Sequence, residues 1–345
     1  MNAARCRARQ GWRVRPAAGI AAALAWTLLL VGTGAGEAPA AWDLLFRAIA
    51  ADRKVSYRGT QETELFAGGE ARRSQSLVLH RAPDVLRIEY VAPPPLAGLV
   101  VQEESGLQRI LNPAGELVRA AHPWRPGQGE GLQARRLLLL RVNYRAELQG
   151  RETVAGRPAA AVALVPRAVG NPWRKLWVDE ATALILQNEG YDATGRLATR
   201  SRFTAIDFAP RFRPTDFALP AAAGADPGMV HPGPGEREAQ RLPFDPLLPG
   251  YLPPGYVFEE GHLMEHHGVP ALHLAFTDGL NTLSLFEAGA TASAPAEALS
   301  MHQGDGFGMV LRWAARGLAF TLVGDLPAEE LRKIAGSVPG AEGTR

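Results

Sequence analysis

Cysteine is almost absent from this sequence, since Cys6 is the only one in 345 residues. It lies in an arginine-rich segment ahead of an apolar run, whereas the lipid-modified cysteine of a lipoprotein follows such a run. We therefore expect no acyl anchor. If the N-terminal segment is removed on export, as argued below, the remaining chain has neither a disulfide nor a catalytic thiol.

The anchors of common enzyme chemistries are missing as well. No serine stands in a G-x-S-x-G pattern, and no glycine run precedes a Lys-Ser/Thr pair. The tightest group of candidate metal ligands lacks a recognised spacing, and a solvated hairpin is the simpler interpretation; it comprises His262, Met264, Glu265, His266 and His267. The sequence therefore predicts a protein that is not an enzyme and has no cofactor or metal.

The first 40 residues follow the three-part pattern of a secretory signal peptide. Five arginines come first, an apolar run covers residues 17–31, and residues 38–40 (APA) match an A-x-A cleavage pattern. The run is shorter than the roughly 20 residues of a membrane-spanning helix. We predict export to the periplasm with cleavage, and a retained membrane anchor is the alternative. Without these residues, which include five arginines and Glu37, the formal charge falls from +2 to −2, so nothing favours nucleic-acid binding.

The remaining chain is long enough for two domains. Helical spacing predicts short helices at residues 42–51 and 131–142. Around them, runs with a period of two, such as residues 76–80 and 85–90, predict an antiparallel meander, and residues 192–195 predict a hairpin turn. Pro, Gly and Ala crowd residues 210–249, which read as an extended linker. The predicted organisation is a signal peptide (1–40), a first domain (41–209), the linker (210–249) and a second domain (250–340).

Several short motifs occur in a fixed order along this arrangement. The second domain contains LPPGY at 252–256, FTDG at 276–279 and VGDLP at 323–327. The first domain contains YRG at 57–59 and LWVD at 176–179, followed by the hairpin and a strand at 203–208. In order and spacing these segments resemble the MucB/RseB family, periplasmic regulators of the envelope-stress (sigma-E type) sigma factor.

The resemblance implies an α+β fold. Its first domain would resemble the lipoprotein carriers LolA and LolB, an incomplete antiparallel β-barrel over helices with an apolar cavity, and a smaller α/β domain would follow. It also implies binding to the periplasmic part of a membrane anti-sigma factor, with release when a lipid, lipopolysaccharide or lipoprotein occupies the protein. The second domain would hold the partner, and its candidate partner-binding residues are Tyr256, Phe276, Asp278, Gly279, Gly324 and Asp325.

Candidate cavity residues follow from the strand alternation in the first domain. They are Leu77, Leu79, Leu86, Ile88, Tyr90, Leu176, Val178, Leu184 and Leu186. The same alternation predicts a filled core equally well, so the cavity depends on the resemblance. An aromatic and cationic patch for lipid head groups or a peptide is a further candidate, although rim and core positions are the simpler expectation; it would use Trp124, Arg125, Trp173, Arg174 and Trp177.

These observations predict a periplasmic negative regulator that senses lipid or lipoprotein with its first domain. The leading alternative is a periplasmic lipid or lipoprotein carrier, which would need only the first domain. An interaction module without any ligand comes third.

Overall fold

A computed structural model describes residues 38–67, 70–121, 130–219, 244–266, 269–290, 297–303 and 307–340. Together these ranges form one compact unit. Within the described ranges it contains three α-helices, one 3₁₀ turn (Pro214–Phe217) and two antiparallel sheets. None of the helices in these ranges is long and apolar enough to cross a membrane. Most of the predicted signal peptide, residues 1–37, lies outside the described residues.

Eleven strands form the first sheet. They are β1 (Tyr57–Ala67), β2 (Glu70–Arg81), β3 (Val85–Ala92), β4 (Val100–Glu104), β5 (Leu107–Leu111), β6 (Leu117–Ala121), β7 (Tyr144–Val154), β8 (Arg157–Pro166), β9 (Trp173–Asp179), β10 (Ile185–Tyr191) and β11 (Leu197–Asp207). Two meanders, β1–β6 and β7–β11, meet where β1 pairs with β11. β6 and β7 lie at the two edges, so the sheet is open.

The first sheet is strongly curved and lies against two helices. Strands β3 and β10 are separated by three others, yet both line one cavity. Helix α1 (Ala38–Ala51) packs its buried side against β7–β9, and Leu140 of α2 (Glu130–Asn143) joins the same core. This open, curved sheet over helices is the incomplete barrel that the family resemblance implied.

Helix α1 begins four residues before the predicted start. Ala38 and Ala40 are strong helix formers. Pro39 lies in the first turn, where backbone N–H groups have no partner within the helix, so its missing N–H costs nothing. The last residues of the predicted signal peptide therefore belong to this helix, and cleavage after Ala40 would leave it starting at Ala41.

The second sheet is smaller and carries one helix. Its strands are β12 (Val257–His266), β13 (Val269–Thr277), β14 (Thr282–Gly289), β15 (Glu297–Gln303), β16 (Phe307–Ala315) and β17 (Leu318–Gly324), followed by α3 (Ala328–Gly336). β14 and β17 are neighbours, and each buries alternate residues, among them Leu285 and Leu322. Leu331 and Ile334 of α3 pack fully buried into the same core. The predicted α+β class is thus confirmed.

The conformation of turn residues explains where several strands begin and end. At the β10–β11 turn, Gly195 takes a φ of 81° and donates its N–H to the carbonyl of Asp192 at 2.9 Å, which confirms the hairpin. Strand β4 begins at Val100, because Gly98 has a φ of 86°, a left-handed conformation that lies outside the strand region. The alternation of apolar residues did not predict three of the strands, β6, β7 and β15.

Parts of the predicted linker are packed onto the two sheets. Phe212 and Phe217 lie with Leu77 and Leu79 of β2 in one apolar cluster. Residues Phe244 and Leu247 pack against the core of the second sheet. Residues 220–243, between these two segments, lie outside the described residues.

Candidate functional site

A cavity of about 740 Å³ opens on one face of the first sheet. One side is lined by β1–β5 and the other by β9–β11. Asn281 and Asp325, which belong to the second-sheet region, line it as well. The cavity therefore touches both parts of the compact unit.

Part of the cavity lining is apolar. Strand β3 alternates, and Leu86, Ile88 and Tyr90 all line the cavity. The segment after β3 and the start of β4 add Pro93, Leu96, Leu99 and Val101. The N–H of Gly98 donates to the carbonyl of Tyr90 at 2.8 Å, which folds this segment back beside β3. Such a wall suits a hydrocarbon chain.

The rest of the lining is polar. Hydroxyls come from β1, β2 and β11, and charged side chains of both signs are present: Arg72, Arg73, Glu103, Arg174, Asp192 and Asp325. The Oδ1 atom of Asn188 is buried and accepts no hydrogen bond within the described residues. A ligand with an apolar body and a polar head group would match this combination.

Asp325 is the acid that joins the cavity to the second-sheet region. Burial raises the pKa of its carboxyl to about 6. The positive charge of Arg174 works against this shift, while the negative charge of Asp278 adds to it. The cavity therefore contains an acid that titrates near neutral pH.

Two aromatic rings form part of the cavity edge. Trp173 stacks on Tyr191, with ring centroids 3.8 Å apart and planes 5° from parallel. The Tyr191 hydroxyl donates to Glu189 at 2.5 Å, and burial together with this bond raises its pKa to about 12. Of the predicted aromatic patch, Trp173 and Arg174 line the cavity and Trp177 is buried in the core. Trp124 and Arg125 lie outside the described residues.

The other predicted cavity residues lie in packed clusters instead of the cavity. Leu77 and Leu79 occupy the opposite face of β2, under Phe217. Leu176 and Val178 pack in the core beneath α1. Leu184 and Leu186 belong to a third cluster, around Trp177 and Phe203. The structure thus brings three of the nine candidates together at the cavity.

A buried polar cluster joins the two sheets beside the cavity. The Tyr144 hydroxyl, at the start of β7, donates to Oδ2 of Asp278 at 2.6 Å. Nδ2 of Asn281 lies 2.9 Å from the Tyr144 oxygen and 3.1 Å from the same carboxylate oxygen. Nδ2 of Asn143 donates to the carbonyls of Gly255 and Asp278, at 3.0 and 2.8 Å. We call Asn143, Tyr144, Asp278 and Asn281 the junction cluster.

The turn between β13 and β14 approaches α2 very closely. Gly279 has a φ of 98°, and a Cβ there would lie 2.3 Å from the backbone nitrogen of Leu140. Only glycine fits both the backbone conformation and this spacing. A few residues away, Nε and Nη2 of Arg136 on α2 each donate to the Glu259 carboxylate at 2.5 Å, and Nη2 also reaches Thr282.

The predicted partner-binding residues lie mostly inside the protein. Tyr256, Phe276 and Asp278 are buried, and Gly279 packs on α2. Gly324 is also buried, and a Cβ on it would lie 2.8 Å from the Leu283 side chain. Asp325 lines the cavity. These residues therefore shape the junction and the cavity.

Sequence reasoning missed Tyr144, Asn143 and Arg136. The available signal was weak: Asn143 and Tyr144 interrupt an apolar pattern where helix α2 passes into β7. For the candidate metal ligands, His262 Nε2 lies 2.9 Å from Glu260 Oε2 in β12. The part of the chain that the structure describes contains no group of three or more His, Cys, Asp or Glu that could hold a metal ion. His267 lies outside that part.

The comparisons with known proteins agree with this architecture. Residues 101–222 match the family model for the MucB/RseB N-terminal domain. The fold resembles MucB in the Pseudomonas aeruginosa MucA/MucB complex, with a TM-score of 0.61, 20% identity and coverage of 87% of this chain and 99% of that one. MucB in complex with MucA(peri) has a TM-score of 0.59 at 21% identity, covering 87% and 98%.

MucB alone has a TM-score of 0.52 at 20% identity and the same two coverages, 87% and 98%. No curated protein sequence matches this chain significantly. The N-terminal domain match and the shared fold over nearly all of MucB agree with the resemblance to the MucB/RseB family that the motifs predicted.

Proposed function

We propose that this protein is a periplasmic regulator that binds the periplasmic part of a membrane anti-sigma factor and thereby restrains an envelope-stress sigma factor. The observation that carries the proposal is the shared fold, which extends over both sheets and over 99% of the MucB chain in the MucA/MucB complex. A protein that used only a lipid-binding sheet would not need the second one. Binding, rather than catalysis, is its proposed activity.

The cavity is the proposed sensor. An apolar wall next to arginines and hydroxyls suits one acyl chain and its polar head group, from a lipid, a lipopolysaccharide or a lipoprotein. A ligand that binds the folded protein and not the unfolded chain stabilises the folded state by mass action, so occupancy of the cavity should raise stability. The ligand would enter between the β3–β4 wall and the β9–β11 wall.

The junction cluster supplies a physical route from ligand to partner. Asn281 lines the cavity and also contacts Tyr144 and Asp278. A head group that displaces Asn281 would disturb the bonds that hold the second sheet against α2 and β7. Ligand in the cavity would then change the shape of the surface that lies over the buried partner-binding candidates. The affinity for the partner would therefore depend on the ligand, and this dependence is a coupling free energy between two sites.

A periplasmic lipid or lipoprotein carrier is the second candidate, because the cavity lies almost entirely within the first sheet. The two candidate functions differ in what the protein binds and what it then does with the ligand. A carrier extracts lipid from a membrane and passes it on, whereas a regulator binds a protein segment and responds to lipid.

Calorimetric titration of residues 41–345 with the periplasmic segment of the anti-sigma factor from the same organism tests the proposal. We expect binding that weakens when lipid A is present. Absence of binding to the segment, with lipid still taken up, would favour the carrier. Export is tested separately by sequencing the N-terminus of protein recovered from the periplasmic and membrane fractions, where a start at Ala41 in the periplasm supports cleavage and a start at Met1 in the membrane supports an anchor.

A further inference from the structure

Helix α2 presents apolar side chains to solvent on the side away from its core contacts. Leu138 is 66% exposed and Val142 is 67% exposed. They are four residues apart, so they lie on the same side of the helix one turn from each other. Leu140, in contrast, is buried beneath α1. The core therefore does not account for Leu138 and Val142.

The neighbouring helix α1 extends this apolar surface. Ile49 is 53% exposed, and Phe46 lies one turn before it, partly buried. The Arg141 guanidinium of α2 lies 5.7 Å from the ring centroid of Trp42 and 5.9 Å from that of Phe46. Arg141 thus joins the two helices. We call Phe46, Ile49, Leu138 and Val142, with Arg135 and Arg141, the α1–α2 patch.

The charges in the patch are all positive. Residues 131–143 contain three arginines and no acid. Arg136 is paired with Glu259, but Arg141 forms no ion pair with any described residue. Arg135 is exposed and donates through Nη2 to the carbonyl oxygen of Phe258, which leaves its charge uncompensated there. Phe258, 45% exposed, continues the apolar surface onto β12.

We propose that the α1–α2 patch docks the protein on the surface of a bilayer that contains anionic phospholipid. Apolar side chains that project between arginines suit the boundary where acyl chains meet phosphate groups. Arg141 stacked over aromatic rings adds the pairing that membrane-interface surfaces use. Large apolar side chains exposed on two neighbouring helices mark an interaction site, and strongly projecting side chains insert into fluid lipid without needing a preformed pocket. This surface is separate from the cavity and does not depend on what the cavity binds.

The test is co-sedimentation with vesicles, using residues 41–345, the exported form that the sequence predicts. Vesicles of phosphatidylcholine are compared with vesicles containing phosphatidylglycerol. We expect binding only to the anionic vesicles, weakening as salt rises. Leu138→Glu with Val142→Glu should lower the partition coefficient by about tenfold or more, and Arg135→Gln with Arg141→Gln should reduce both binding and its salt dependence.

Val269→Glu is the matched control. It introduces one glutamate, where the test variant introduces two, at a residue that is 41% exposed and lies at the opposite end of the β12–β13 hairpin from Phe258. This variant should bind like the unmodified protein. Equal thermal unfolding midpoints exclude misfolding. Failure of the unmodified protein to bind anionic vesicles would overturn the proposal, as would unchanged binding of the Leu138 and Val142 variant. If that variant binds vesicles normally and loses only its binding to the anti-sigma segment, the patch is a protein-docking surface and the proposal is wrong.

Discussion

Tyr144 and Asp278, 134 positions apart in the chain, are joined by a 2.6 Å hydrogen bond in a fully buried site between the two sheets. Burial and the adjacent Asp278 carboxylate raise the pKa of the Tyr144 hydroxyl, which stays protonated and donates. Replacing Tyr144 by Phe leaves a buried carboxylate oxygen with one donor fewer. We expect the free energy of unfolding to fall by about 1–3 kcal/mol in urea titrations.

Tyr251→Phe is the control for Tyr144→Phe. The Tyr251 hydroxyl also donates to an acid, Glu330, but on the exposed surface of the second sheet. Its loss should change the free energy of unfolding by less than about 0.5 kcal/mol. Equal effects of the two substitutions would mean that the buried bond holds the sheets together no better than a surface contact does.

Gly279→Ala should separate the β13–β14 turn from helix α2. The alanine would have to adopt a φ of 98° and place its Cβ 2.3 Å from the Leu140 nitrogen. Gly317→Ala is matched, since Gly317 has a φ of 75° but no atom within 4 Å of the added Cβ. We expect Gly317→Ala to cost about 1–2 kcal/mol, the backbone cost alone, and Gly279→Ala to cost more, with weaker binding of the anti-sigma segment. Similar losses for both would show that close packing at α2 contributes little.

The alternation of the sequence predicted most strands but not their register. Leu86 and Ile88 were correctly placed with Tyr90 on one face of β3, and that face lines the cavity. On β2, however, the partners of Ile88 and Tyr90 are Val78 and Ser76. Leu77 and Leu79 therefore face the other way, where Phe217 covers them. An alternating strand has two faces, and only its pairing decides which one meets the cavity.

Strands without a clear alternation were missed for a related reason. β7 lies at the edge of the first sheet, and the middle of this strand is exposed on both faces, so its polar residues 149–153 gave no period. The junction cluster was missed because its bonds join residues more than 100 positions apart. The motif that includes Asp278 and Gly279 marked one half of that contact, and nothing local in the sequence marked Tyr144 as the other half.

The Arg136–Glu259 pair gives a second test of the junction. Glu259 has a fully buried side chain and Arg136 is 21% exposed. Arg136→Met would leave a buried carboxylate without its partner, and we expect a loss of about 3–5 kcal/mol in the free energy of unfolding. The double variant with Glu259→Met should recover much of that loss, because neither charge then remains buried. If the double variant is as unstable as the single one, the ion pair is not the cause.

Stability should depend on pH through Asp325. Its pKa is about 6 in the folded protein and about 3.9 in the unfolded chain, so the folded state holds a proton that the unfolded state has released between these values. The free energy of unfolding should therefore fall as pH rises from about 4 to 6 and then level off. Asp325→Asn should remove about 1–3 kcal/mol of this decline, measured by denaturant titrations at several pH values.

Asp192→Asn provides a control of opposite sign for the pH experiment. Burial acts against the ionised form of Asp192, but hydrogen bonds from Thr194 and Arg196 outweigh it and lower the pKa of the carboxyl. Its contribution is present above the unfolded pKa and is lost as pH falls. Asp192→Asn should therefore lower stability mainly at neutral pH. A profile unchanged by Asp325→Asn would mean that this carboxyl is solvated in the folded protein.

Filling the cavity should abolish the response to lipid. Ile88 lines the apolar wall, and Ile88→Trp would occupy space that an acyl chain needs. Val91→Trp, on the same strand at a residue 48% exposed, leaves the cavity open and serves as the control. Palmitate at about 100 times its dissociation constant should stabilise the unmodified protein and the control by roughly 2.7 kcal/mol, seen as a higher thermal midpoint. A ligand stabilises only through a site that it occupies, so an equal rise of the thermal midpoint in Ile88→Trp would mean that the lipid binds elsewhere. If the midpoint rises in none of the three proteins, lipid sensing is no part of the function.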